Sequence, residues 1–249
     1  MFTPTWLGHA QHRRVVHLQR CLGQGDRCGV GRRARPPQSL VNNADLPSYT
    51  ANEFRQRKLN ELDQAATTGK IPSSLLRRWE HALEDVALWR FNPCVVHGDL
   101  HEDNLLVDGD SVTAVTGWTD LRIGDPADDF AWLVASNEQK FVESVLRHYT
   151  EARRDTPDSH LLRRSALLAE FALAQYLVKA LAAGHSEMTA EAEAMLKSLA
   201  DDIEEQNALA AEEAEAAAAE RAAADGLAAP AVVIGSEAKA PAGGPAKPR

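Results

Sequence analysis

Eight consecutive residues, His97-Gly98-Asp99-Leu100-His101-Glu102-Asp103-Asn104, hold six side chains able to move a proton or bind a cation. Asp99 and Asn104 stand five apart. Phosphoryl-transfer sites use that spacing: an Asp takes the hydrogen of the attacking hydroxyl, and an Asn amide oxygen ligates Mg²⁺. A second reading stays open. His97-x-Asp99-x-His101 would point one way on a strand, and metallohydrolases place His and Asp at such intervals.

Other elements must hold this loop. Cys94-Val95-Val96 is a short apolar run before it, and Leu105-Leu106-Val107 and Val112 to Val115 follow it. Asp108-Gly109-Asp110-Ser111 between the last two is a hairpin signal. Asp125-Pro126 reads as an N-cap followed by the first helical residue. Helices are predicted over about 51–68, from Leu75, over about 138–150 and over about 159–183. Ser73 or Ser74 is the expected cap of the second, whose apolar face is Leu75, Leu76, Trp79, Leu83, Val86 and Ala87. An Ala/Glu-rich stretch after about residue 208 favours helix, and the Ala/Pro/Gly/Lys-rich end from Gly226 reads as disordered.

His-Gly-Asp-Leu-His-x-x-Asn, two short strands and then Gly124-Asp125-Pro126-Ala127-Asp128-Asp129-Phe130-Ala131 together resemble the aminoglycoside phosphotransferase family. The resemblance covers about residues 39–200 and implies a protein-kinase-like fold with ATP and Mg²⁺ as cofactors. It implies that Asp99 is the catalytic base, Asn104 a metal ligand, His97 a brace for the loop, and Asp125 a support for the loop and cap of the next helix. Two departures stand out. Where the family pattern has an Ile-Asp-Trp-like triplet carrying a second metal ligand, this chain has Thr116-Gly117-Trp118. Asp120 is the candidate substitute ligand. The glycine-rich segment Gly23 to Gly31 does not match G-x-G-x-x-G, and the first Lys is Lys58, on a predicted helix.

The expected fold is therefore mainly α with a small β-hairpin (α+β), a protein-kinase-like C-lobe lacking a complete N-lobe. Residues 1–38 are expected to be an irregular, non-native leader on a truncated chain. Residues 39–207 form the lobe, and 208–249 a helix and disordered tail. The leader carries seven Arg and one Asp, yet the whole chain has net charge −9. An acidic body excludes nucleic acid as a natural partner and favours an amine-bearing small-molecule acceptor. No run of about 18 uncharged apolar residues argues for a membrane span. Cys21, Cys28 and Cys94 fit no metal or disulfide spacing, which suits reduced thiols in the cytoplasm. The expected function is ATP-dependent phosphoryl transfer to a hydroxyl of an aminoglycoside- or macrolide-like molecule, hence antibiotic resistance. The alternatives are a catalytically silent remnant or interaction protein, and a His/Asp metallohydrolase. Oligomeric state is not legible.

Overall fold

Thr50 and Glu53 start the first helix with a reciprocal capping box. The Thr50 Oγ1 accepts from Glu53 N–H at 3.2 Å, and Glu53 Oε2 accepts from Thr50 N–H at 2.8 Å. The computed structural model describes residues 45–108, 111–135, 138–152 and 156–227. The expected leader 1–38, with Cys21 and Cys28, lies outside them, as does the expected disordered end beyond Leu227; Gly226 and Leu227, expected to open that end, belong to the last helix instead. Helix α1 spans Ala51–Ala66 and α2 spans Ser73–Glu84. Neither Ser73 nor Ser74 caps α2, because Pro72 takes the cap position and no side chain bonds there.

The apolar stripe of α2 stops earlier than its spacing predicts. Leu75, Trp79 and Leu83 are buried, but the helix ends at Glu84 and Val86 is 54% exposed. Asp85 turns the chain, its Oδ1 accepting from Ala87 N–H at 3.1 Å. Leu88 and Trp89 then supply the buried surface instead.

Strand β1 (Cys94–Val96) pairs antiparallel with β4 (Arg122–Gly124), a strand that sequence reading misses. Strands β2 (Leu105–Asp108) and β3 (Ser111–Val115) form the expected hairpin, with an irregularity between Leu106 and Val107. Three-residue β4 has no alternation long enough to read. Its partners fix it: β1 on one side, and Tyr49 N–H donating to Ile123 O at 3.0 Å on the other.

A 3₁₀ turn at Pro126–Phe130 leads into the short α3 (Ala131–Val134), then α4 (Gln139–Ala152) and α5 (Leu161–Ala182). Helix α5 is long and apolar enough to cross a membrane by length and composition. It packs here as a core helix, with Leu168, Phe171 and Leu177 buried. Glu170 breaks its apolar run for a reason. Its carboxylate accepts from Trp79 Nε1 at 2.8 Å and from Arg78 at 2.9 and 3.0 Å, so the buried charge is paired.

The chain divides into two units, 1–206 and 207–249. In the first, Ala192, Leu196, Leu199 and Ile203 of α6 (Ser186–Leu227) are buried. In the second, residues 207–222 of the same helix are exposed.

Candidate active site

Strand β1 delivers the loop. Val96 and His97 are buried, and Gly98 turns the backbone with φ 87°. A side chain at Gly98 would collide with the Arg122 guanidinium and the Asp120 carbonyl. Glycine is therefore required by space as well as by φ.

Asp129 clamps the turn. Its Oδ2 accepts from His97 N–H at 2.9 Å and its Oδ1 from Gly98 N–H at 2.8 Å. Burial pushes its carboxyl above the ordinary value, against the two N–H groups that favour the charged form. His97 braces the loop from within. One ring nitrogen, Nε2, meets Thr116 O at 2.7 Å, and Nδ1 accepts from Asp99 N–H at 3.4 Å. The ring also packs on Trp118, with centroids 4.7 Å apart. One ring nitrogen is thus engaged by the backbone after β3 and the other by the loop itself, an arrangement that fits a brace better than a metal ligand.

Asp125 sits elsewhere. It caps the 3₁₀ turn by accepting from Ala127 N–H at 3.0 Å, and it is fully buried against Arg164 at 2.7 and 3.0 Å. The carboxylate that reaches the loop itself is Asp129, which sequence reading did not single out. Asp128, within the same turn, reaches the loop through Arg122. It pairs with Arg122 Nη2 at 2.6 Å, and the same nitrogen donates to Gly98 O at 3.2 Å. Burial raises Asp128 despite Arg122 and Lys58.

Asp99 is exposed, and among the described residues its carboxylate accepts no hydrogen bond. It faces a cleft of about 870 Å³ whose walls include Lys58, Glu61, Asp120, Trp132 and Gln175. Asn104 lies beneath. Its Nδ2 donates to Asp99 O at 2.8 Å. A Cβ on Gly117 would stand 2.5 Å from Asn104 Oδ1, and Gly117 has φ 77°. The amide thus fills the space a side chain at 117 would need. Asp120 ends a 3₁₀ turn, Trp118–Asp120, and is exposed in the Asp99 cleft.

These residues do not make a divalent-cation site by themselves. Among the described residues no group of three His, Cys, Asp or Glu side chains converges on one point. Asn104 is neutral, whereas magnesium sites draw on carboxylates and substrate phosphates.

The clamp gives a direct expectation. Asp129→Asn keeps the shape but turns one acceptor into a donor facing an N–H. Stability should fall by about 1–3 kcal/mol, and the Gly98 amide should exchange with solvent faster than in the parent. Unchanged protection at His97 and Gly98 would remove Asp129 from this role.

The profile of the phosphotransferase enzyme family matches residues 6–167, most of the chain. The chain belongs to that family. Viomycin phosphotransferase of Streptomyces vinaceus is 38% identical over 142 residues, 54% of this chain and 46% of that protein. The structure is similar to macrolide 2'-phosphotransferase MphH of Brachybacterium faecium, with TM-score 0.58, 26% identity, and coverage of 72% of this chain and 59% of that one. A GDP complex of aminoglycoside 2'-phosphotransferase-IIIa shares the fold at TM-score 0.54 and 18% identity, covering 78% of this chain and 64% of that one. The mainly helical, kinase-like architecture is thus that of a phosphotransferase-family chain. It spans between a third and a half of the length of the curated relatives it matches.

Proposed function

We propose that this chain carries the acceptor cleft and catalytic loop of a small-molecule phosphotransferase. The single observation behind the reading is Asp99: an exposed carboxylate on a loop fixed at both ends, facing a cleft of about 870 Å³. An acceptor hydroxyl beside Asp99 gives its proton to the carboxylate. Its oxygen bonds the γ-phosphorus of a nucleoside triphosphate, the bond to the β-phosphate oxygen breaks, and the diphosphate leaves. ATP is the proposed donor, and its supply points to the cytoplasm.

The acceptor we propose is an amine-bearing antibiotic-like molecule. Glu61 supports this. Its Oε2 accepts from Lys58 at 2.8 Å and Gln175 at 2.7 Å, while Oε1 accepts nothing among the described residues. Arg57, Lys58, Arg122 and Lys179 also line the cleft, so recognition of one amine at Glu61 fits better than a polycation spread along the whole wall. Incubating the full chain with ATP and a panel of aminoglycosides and macrolides should yield an acceptor heavier by one phosphoryl group. No product across the panel would sink the transfer reading.

Gly117 favours a second reading, binding without turnover. Aspartate tolerates left-handed φ better than most residues, but at 117 it requires Asn104 to swing away from Asp99 O. Gly117→Asp should raise Mg²⁺ affinity roughly tenfold in calorimetric titration. Gly117→Ala, with the same crowding and no carboxylate, should not. Equal behaviour of the two variants would discard residue 117 as a metal position, and a loss of Mg²⁺ affinity in Asp120→Ala would assign that role to Asp120.

A further inference from the structure

A second cavity, of about 420 Å³, shares no lining residue with the Asp99 cleft. It lies between the start of α1, the segment after α2 and the side of α4. We propose that it is a binding site for a small anion with an apolar body, such as an aryl phosphate or aryl carboxylate.

Charge is the first argument. Two arginines line the cavity, Arg55 and Arg90. Arg55 is held in place, its Nη1 donating to Leu83 O at 3.0 Å and its Nη2 to Asn52 Oδ1 at 3.4 Å. Arg90 is exposed, and among the described residues its guanidinium has no hydrogen-bond or ion-pair partner. Asp158 is the acid in the lining, and it is occupied. Its two oxygens accept from Arg164 at 2.7 and 3.0 Å, and Oδ1 also from His160 N–H at 3.0 Å. Counting Arg164 and its other partner, Asp125, these five described side chains still carry one net positive charge. The chain as a whole carries −9. A local positive pocket on an acidic protein is the arrangement that concentrates an anion, and Arg binds phosphate and carboxylate through paired donors.

Shape is the second argument. Val86, left out of the core by the early end of α2, is 54% exposed and lines this cavity with Trp89 and Tyr149. An apolar body seated there removes the Val86 surface from water while its anionic head reaches Arg90. The volume falls within the range of small-ligand pockets.

The test uses the full chain and phenyl phosphate, followed by amide chemical shifts and calorimetry. Binding should perturb Val86, Arg90 and Tyr149 below about 10 mM ligand. Arg90→Ala and Val86→Asp, both at exposed positions, should each weaken it at least roughly tenfold, and inorganic phosphate should bind at least roughly tenfold more weakly than phenyl phosphate. Asp99→Ala should leave the affinity unchanged, which separates this site from the proposed catalytic one. No perturbation at these three residues would overturn the proposal. So would equal affinity in Arg90→Ala, inorganic phosphate binding as well as phenyl phosphate, or loss of binding in Asp99→Ala.

Discussion

Replacing Asp99 with alanine should lower turnover by about 10²- to 10⁴-fold, the usual worth of a positioned general base, while acceptor binding survives. The expectation rests on how Asp99 is held. Its carboxylate makes no hydrogen bond among the described residues, so its removal breaks nothing that supports the loop. The Asp99 groups that do support it are main-chain: the N–H that meets His97 and the carbonyl that holds Asn104 at 2.8 Å. Alanine keeps both. The measurements are kcat in a nucleotide-coupled assay and acceptor Kd by calorimetry. A variant that turns over like the parent would remove Asp99 as the base. A parent that binds acceptor with no turnover would establish the binding reading that Gly117 favours.

Arg164→Met should destabilise the first unit by about 3–5 kcal/mol, the range for removing one partner of a buried ion pair. Arg164 is fully buried and joins three segments. It holds Asp125 and Asp158 through both carboxylate oxygens of each, and Leu88 O at 3.0 Å. Burial works against its charge, but the bonds to Asp158 and Asp125 outweigh burial and hold its pKa above the ordinary value. Asp125 has the opposite balance, since burial raises its carboxyl despite Arg164. Without Arg164 both carboxylates lose their cation, and Asp125 is left fully buried with the Ala127 N–H as its remaining donor among the described residues. Arg164→Lys should not restore stability, because an ammonium cannot serve five acceptor contacts with three donors. Urea unfolding followed by circular dichroism measures both variants. A loss under about 1 kcal/mol in Arg164→Met would show that the triad is replaceable packing.

The His97–Asn104 motif, the hairpin and the Asp125 cap were legible because each rests on local chemistry: a spacing, a turn signal, a cap. What was not legible depends on distant partners. Nothing near Asp129 announces that its acceptors are two main-chain N–H groups on the far side of the hairpin. Arg164 reads as one charge at the start of an apolar helix, and Glu170 as an interruption, until α2 and the 3₁₀ turn are packed beside them. Strand β4 exists because β1 and Tyr49 offer it hydrogen bonds, not because Arg122-Ile123-Gly124 favours extension. Val86 shows the reverse error. Helical spacing carried the stripe past Glu84, where Asp85 had already turned the chain.

The Asp129 clamp also sets a schedule for assembly. Its bonds to the His97–Asn104 loop span 31 and 32 residues, the Arg164 bonds that fix the start of its turn span 39, and the bond from Arg164 to Leu88 spans 76. Such closures are paid for in chain entropy before they are rewarded. During synthesis the eight-residue motif emerges from the ribosome well before the groups that hold it in shape. A nascent chain ending just after the hairpin carries the complete motif with neither Asp129 nor Arg164 to position it. The loop takes its fixed shape only once the 3₁₀ turn and α5 have been made and packed, so on a half-made protein the motif is present as sequence without its geometry.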